Sequence, residues 1–304
     1  MAARLRVALT IRLEIFVTAR LQEFELGLEA MTNSVNTNQS ALVALQNLNS
    51  VNKKLSDTQI KISTGLKVGG AKDNAAVWAI AQNQRADSGA LEAVRTSLNR
   101  ATSIADVALA AGEQISELLI ELRQKATATA DPSSTEATRK AYDDEFQSLL
   151  LSIQSFADNA KFDGENILDG SSADNLAFLA SADAQETITM SRQDLTLATL
   201  GLDGLDLQDP DEADNVLEAV EEALKTVTAA LAELGAQSKQ ISNHNIFVGK
   251  LLDSLETGIG NLVDADLAKE SARLQALQVQ QQLGSQALSI ANQTPQIILS
   301  LFGN

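Results

Sequence analysis

Leu91, Val94, Leu98, Ala101, Ala105, Ala108, Gly112, Ile115, Leu119 and Leu122 follow one another at strictly alternating steps of three and four residues. That spacing keeps returning to one face of an α-helix and to no face of a strand. A helix carrying it would run about 48 Å at 1.5 Å per residue. Its small central residues let a partner helix approach closely. A second seam of the same kind passes through Val216, Val220, Ala223, Val227, Ala230, Leu234, Gln237, Ile241, His244, Val248, Leu251 and Leu255. Helices of this length line up as slender bundles rather than wrap a round core, and the composition agrees. Aromatic residues make up 3% of the chain and there are only three prolines, while Ala, Leu, Gln and Glu lose little rotamer freedom in a helix. The expected fold class is mainly α: long coiled-coil-like helices forming a rod-shaped bundle, with a small β-hairpin insert and paired N- and C-terminal helices.

The two ends differ from the middle. Thr32 to Asn52 and Leu274 to Asn304 contain no Asp, Glu, Lys or Arg, although the 304 residues sum to a formal charge of −17. Leu, Val, Ile and Ala alternate there with Asn and Gln. Such a surface can be buried against neighbours without desolvating an ion, a cost of several kcal/mol each. The first end carries a seam at Ala41, Ala44, Leu48, Val51, Leu55, Thr58 and Ile62, starting after Asn38. The last carries Leu267, Leu274, Leu277, Leu288 and Ala291. The simplest closure sets these two helices side by side.

The acidity argues against nucleic acid and anionic membrane as partners, and no apolar run reaches the 18 residues of a membrane span. There is no cysteine, which excludes disulfides, thiolate metal sites and thiol catalysis. Residues 1–30 carry four Arg and four Glu, and Arg12 and Glu14 interrupt what a secretory leader would keep apolar. They read as extraneous to the fold, upstream of a start at Met31, ahead of a targeting peptide or an amphipathic extension.

Punctuation divides the rest. The stretch Ser63–Gly70, with Gly65, Gly69 and Gly70, ends the first seam, and Asp73 is placed to cap the next helix. Asp131-Pro132 and Asp209-Pro210 carry the Asp-then-Pro helix start, with Glu212 positioned for a capping box. The third helix has its seam at Tyr142, Phe146, Leu149, Ile153 and Phe156. Five of the ten aromatics fall between Tyr142 and Phe178, marking the densest core. From Lys161 to Asp209 the helical period fails, and Leu176–Ala180 and Thr187–Met190 read as short strands. Gly258 and Gly260 are expected to interrupt the last long seam. The expected segments are 1–30; 31–72, a polymerisation helix and glycine joint; 73–160, rod helices; 161–209, a β/turn insert; 210–257, a rod helix; and 258–304, a second polymerisation helix.

Several strings together resemble bacterial flagellins, nearest to the short alphaproteobacterial type. They are Ser34-Val35-Asn36-Thr37-Asn38; Gln59 to Val68, reading Gln-Ile-Lys-Ile-Ser-Thr-Gly-Leu-Lys-Val; and Ala71-Lys72-Asp73-Asn74-Ala75-Ala76 with Ala79-Ile80-Ala81. Near the other end come Leu262-Val263-Asp264-Ala265-Asp266, Glu270-Ser271-Ala272, Gln280 to Leu288 and Leu299-Ser300-Leu301-Phe302. Lys161-Phe162-Asp163-Gly164 resembles the family's Phe-Asn-Gly turn, with Asp for Asn. The resemblance spans Met31 to Asn304. It implies a secreted, extracellular subunit of the flagellar filament for swimming motility, built by self-assembly, with paired terminal helices forming an inner tube. It implies a homopolymer of this chain with itself and other flagellins, and, by analogy, a flagellar cap and an export chaperone as partners, with no nucleic acid and no membrane insertion. Two departures stand out. Lys61 occupies a position where the family usually has Arg, and Leu118–Lys125 lacks the Arg-rich motif read by the innate receptor for flagellin, which argues against strong activation of it.

No constellation calls for catalysis, a metal or a cofactor. His244, the sole histidine, has no second His or Cys for a zinc site and reads as structural. Asp143-Asp144 and Glu221-Glu222 read as solvated helix faces, and no EF-hand spacing is present. Gly69-Gly70-Ala71-Lys72 lacks the full phosphate-loop pattern, since Asp73 follows Lys72. Thr127, Thr129, Ser133, Ser134, Ser171 and Ser172 read as turn and cap residues, and only the resemblance makes them glycan candidates. The reading is a non-enzymatic filament subunit with no cofactor and with its polymerisation seams on the two terminal helices. A hook–filament junction protein is the first alternative, and a secreted coiled-coil adhesin or receptor ligand the second.

Overall fold

The computed structural model describes residues 37–302 except 132, 210 and 211, with side chains up to residue 293. Five helices lie among the described residues: α1 Gln39–Thr64, α2 Ala75–Thr129, α3 Glu136–Asn159, α4 Ala213–Val263 and α5 Leu267–Phe302. Between α3 and α4 come four short strands, β1 Lys161–Phe162, β2 Glu165–Asn166, β3 Leu176–Leu179 and β4 Thr187–Met190, paired as two antiparallel hairpins. The described chain divides into two compact units. The first holds the residues up to Ala79 together with those from Asn261 onward, and the second is Ile80–Gly260.

The second unit holds the main core. All ten seam residues of α2 from Leu91 to Leu122 are buried, as are Val216, Val220, Ala223, Val227, Ala230, Leu234, Ile241 and Val248 of α4. At Gly112 the close approach is literal: a Cβ there would stand 2.6 Å from Leu231 Cδ2, inside van der Waals contact. The β1–β2 hairpin abuts the end of α3, where Asn166 Nδ2 donates to Ala157 O at 2.7 Å, and the β3–β4 hairpin bonds to α2 through Leu179 N and Ser97 Oγ at 3.2 Å. In β3–β4, Leu176 pairs with Met190 and Phe178 with Ile188, and Phe178, Ile188 and Met190 are buried on one face. In β1–β2, Asp163 and Gly164 both take positive φ, 51° and 82°, the conformation of a two-residue turn that matches strand twist. Asp163 is held there by an ion pair with Arg100 Nε at 2.8 Å. Arg192 ties the hairpins together, donating to Asp174 O and Glu165 Oε2, each at 2.8 Å, and to Asn166 O.

Several sequence expectations shift. The cap of α2 is Asn74, whose Oδ1 accepts from Val77 N at 3.2 Å, not Asp73, whose carboxylate instead accepts from Gly69 N and Gly70 N. Helix α3 is capped by Thr135; Asp131 accepts from Ser133 N in a local turn, because a short side chain can satisfy its own following backbone as well as a helix end. Glu212 precedes α4 and donates its N–H to Asp209 O, so it does not stand at the third helical position that a capping box requires. Gly258 and Gly260 do not interrupt α4, which runs unbroken to Val263. Each costs about 1 kcal/mol relative to Ala, too little to end a helix of 51 residues. The break comes at 264–266, where Asp266 Oδ1 accepts from Ala268 N and Lys269 N.

The inner face of α3 also turns by one position. It runs through Asp143, Phe146, Leu150, Ile153 and Ala157, leaving Phe156 38% exposed. Asp143, expected on a solvated face, is only 4% exposed. Its carboxylate accepts from Leu207 N at 3.1 Å, Gln208 Nε2 at 2.9 Å and Gln147 Nε2 at 3.3 Å. Burial disfavours the charged form, but these donors outweigh it and hold the carboxyl below the usual carboxylate range. A period read from apolar residues cannot see a carboxylate recruited to pin a loop.

Candidate assembly surface

The first unit is built from the two chain ends. Asn38 caps α1, its Oδ1 accepting from Ala41 N at 3.0 Å, while its Nδ2 donates to Ala291 O of α5 at 2.7 Å. Further along, Gln281 Nε2 donates to Asn52 Oδ1 at 2.7 Å, and a Cβ on Gly284 would lie 3.3 Å from Leu48 Cδ1. The order of these contacts makes the pair antiparallel. Gly65, at φ +72°, ends α1 and returns its N–H to Lys61 O. The two joints then bond to each other: Lys67 N to Val263 O at 2.7 Å, Ala265 N to Gly65 O at 2.7 Å, and Lys67 Nζ to Asn261 O at 2.8 Å. The bridge Leu66–Asp264 is antiparallel.

On α1 the expected seam residues Ala41, Ala44, Leu48, Val51, Leu55 and Ile62 are half-buried, and Thr58 is buried. On α5, Leu274, Leu288 and Ala291 are half-buried and Leu277 is 5% exposed. Leu267 is different, at 49% exposed. It keeps the helical register but is the first residue of α5, level with the end of α1 at Gly65, so no partner turn faces it. Sequence reasoning missed Glu270, Gln281 and Gly284, which are half-buried on the same face. With them the series 270, 274, 277, 281, 284, 288 and 291 alternates by four and three, and only their lack of an apolar side chain hid it.

Two helices alone cannot close a core. A fully buried residue touches six to twelve others, and a pair offers too few. Hence Leu42, Val43, Leu45 and Ile60 on α1, and Val279, Leu283 and Ile290 on α5, stay exposed, Leu283 to 60%. Large contiguous apolar patches mark sites of association, which makes these side chains the candidates for one on this pair. Between 274 and 304 and between 32 and 52 no ionised side chain opposes its burial.

Elsewhere the polar groups are structural in their contacts. His244 Nε2 lies 2.8 Å from Ala180 O and its ring 5.8 Å from Phe247, tying the β3–β4 hairpin to α4. Among the described residues no group of three His, Asp or Glu is placed to hold a metal, and no helix is long and apolar enough to cross a membrane. Of the two acidic pairs, Glu221 meets Arg123 at 2.9 Å and Glu222 meets Lys225 at 3.1 Å.

A long helical unit with a continuous apolar core, joined in sequence to a terminal helix pair with exposed apolar side chains, is the make-up of a structural protein. The comparisons give that class a family. Residues 35–173 match the bacterial flagellin N-terminal helical region, and residues 217–302 the bacterial flagellin C-terminal helical region. Flagellin FljM of Caulobacter vibrioides is 50% identical over 271 residues, covering 89% of this chain and 98% of the relative. A flagellin of Brucella melitensis is 42% identical, covering 88% and 99%. The solved structure of a flagellar hook-associated protein from Vibrio parahaemolyticus shares the fold, with a TM-score of 0.54 at 14% identity over 63% of this chain and 100% of that one. This chain belongs to the bacterial flagellin family.

Proposed function

We propose that this chain is a structural subunit of the extracellular flagellar filament, and that the α1–α5 pair is the surface through which copies join. The observation that carries the reading is the coincidence of exposed apolar side chains with uncharged sequence at both ends. Neighbouring copies supply the contacts that two helices lack, and burial of about 25 cal/mol per Å² of apolar area drives the step. The seam residues Ala41, Ala44, Leu48, Val51, Leu55, Ile62, Leu274, Leu277, Leu288 and Ala291 hold each subunit's own pair together. The chain acts by assembly and not by catalysis, with itself and with related flagellins as partners, and with a cap and an export chaperone by family analogy.

Electron microscopy of purified chain with filament seeds and added salt tests this, using both the full chain and residues 31–304. The segment 1–30 lies outside the described residues, so the two forms also report whether assembly needs it. Helical filaments are expected. A chain that stays monomeric across salt and seed concentrations, while remaining folded by circular dichroism, would overturn the reading.

A further inference from the structure

Charge is divided between the two units in a way that the net value conceals. From residue 80 to residue 260 the sequence holds 31 acidic and 12 basic side chains. The described part of the first unit has the opposite balance. Lys53, Lys54, Lys61, Lys67 and Lys72 lie on α1 and its joint, with Lys269 and Arg273 at the start of α5. Five acids accompany them: Asp57, Asp73, Asp264, Asp266 and Glu270. Two of these are occupied by backbone, Asp73 by Gly69 N and Gly70 N and Asp266 by Ala268 N and Lys269 N.

The cations form a belt. The register set by Asn52–Gln281 and Leu66–Asp264 puts Lys269 and Arg273 level with the last two turns of α1. At 3.6 residues per turn, Lys53, Lys54 and Lys61 fall within an arc of about 100° on the side of α1 away from its seam. Lys53, Lys54, Lys72, Lys269 and Arg273 are exposed. Every ion pair among the described residues joins two side chains of the second unit, so no described acid neutralises a belt cation. Lys67 alone is engaged, on Asn261 O.

The second unit has a matching pole. The loop leading into α4 and the first turns of that helix carry Asp203, Asp206, Asp214 and Glu218, all exposed and without an ion pair among the described residues. The Asp143–Leu207 bond ties this loop to α3, whose neighbouring acids Asp144 and Glu145 are already paired with Lys140 and Lys125.

We infer that the belt of one copy docks on the acidic pole of the next, which rests on the filament reading above. Belt and pole are different patches of one chain, so the contact is head-to-tail. Such contacts propagate open filaments when the rotation does not close a ring. They also supply direction, because a belt can add only to a pole.

Three triple variants test it, each first checked for an unchanged dichroism spectrum and melting midpoint. Lys53→Gln with Lys54→Gln and Lys269→Gln removes three of the seven belt cations. Lys161→Gln with Lys239→Gln and Lys250→Gln removes three exposed, unpaired cations of the second unit and changes net charge equally. Asp203→Asn with Asp214→Asn and Glu218→Gln removes three of the four unpaired pole acids and makes the chain less acidic. The belt and pole variants are each expected to raise the protein concentration needed for seeded growth about tenfold at low salt, and the control triple less than about twofold. The gap should close as salt screens the exposed charges. If net charge alone matters, the control triple will lose as much as the belt variant and the pole variant will grow better than the unmodified chain; either result overturns the inference. Belt-dependent binding of unassembled chain to phosphatidylglycerol vesicles, with growth unaffected in all three variants, would assign the belt to a membrane surface instead. Failure of the unmodified chain to form filaments would count against the filament reading, whereas filaments indifferent to the belt would sink only this contact.

Discussion

Gly170→Ala should be among the most damaging single-methyl changes in the second unit, and its cost can be split in two. Gly170 sits at φ +63°, where an L side chain costs about 1–2 kcal/mol. An added Cβ would also stand 2.7 Å from Asp194 Cγ and overlap its carboxylate oxygens. That carboxylate is not free to move. Its Oδ1 accepts from Thr196 N at 3.0 Å and Thr196 Oγ1 at 2.7 Å, and its Oδ2 accepts from Thr199 Oγ1 at 2.6 Å. Displacing it weakens hydrogen bonds to a charge, worth about 1.5–3 kcal/mol. The sum is about 3–5 kcal/mol, read as a fall in the urea midpoint followed by circular dichroism. Two controls separate the parts. In an Asp194→Ala background the clash is gone, and the glycine substitution should cost only its backbone share of about 1–2 kcal/mol. The second control is pH. Burial opposes the charge on Asp194, but the Thr199 and Thr196 hydroxyls and the Thr196 N–H outweigh it and lower its pKa. The stability this contributes is complete above the unfolded value of about 3.9 and is lost as pH falls from there through the folded value. The gap between the parent and Gly170→Ala should therefore narrow below about pH 4. Equal cost of the substitution in both backgrounds would refute the close-approach argument.

Leu283→Asp, at a residue 60% exposed in the single chain, should leave the monomer's dichroism unchanged and abolish filaments in electron micrographs, since assembly would bury an unpaired charge at several kcal/mol. Leu55→Asp and Leu277→Asp should abolish filaments too, but with loss of α1–α5 helicity, because those residues pack within the chain; full filament yield from either would remove the seam assignment. Gly112→Ala gains about 1 kcal/mol of helix propensity against a shift of Leu231 and should be near neutral in urea, whereas Gly112→Leu should cost about 1–3 kcal/mol by overpacking. Asp143→Asn should weaken the hold on Leu207 and Gln208 and flatten the acid limb of the stability curve below about pH 4, with little effect on that limb if the carboxylate does not pin the loop.

The long periodic stretches were readable because burial there is decided by spacing alone. All of Leu91 to Leu122 and most of Val216 to Val248 lie where a period of three and four puts them, and the strands Leu176–Leu179 and Thr187–Met190 followed from the failure of that period between glycines. Much of what escaped reading is a polar group satisfied by a partner distant in sequence. Asp143 turns inward for Leu207 N, 64 residues away, and shifts the face of α3 with it. Gln281 joins the α5 face because Asn52 accepts from it across 229 residues. Caps failed for a related reason, since Asp73 and Asp131 spend their oxygens on local turns and leave the helix starts to Asn74 and Thr135. The glycines at 258 and 260 were read as a joint from propensity alone, which a long packed helix overrides.

The candidate surface was legible only as composition. Uncharged ends interleaved with amides say that burial is cheap there, but not against what. The structure supplies the missing step by showing how little the pair buries by itself: among the described residues, only Thr58 and Leu277 along the two helices, with Val68 and Val263 at the joint, are buried. A helix pair with so small a core gains little by ordering alone, since fixing each residue costs about 1–2 kcal/mol of backbone entropy. The exposed leucines, valines and isoleucines are thus apolar area that the pair leaves unburied, and the proposed contact between copies is what would cover it. On the proposed assembly, growth of a polymer completes the burial that the pair begins within one chain, whereas the second unit closes its own core.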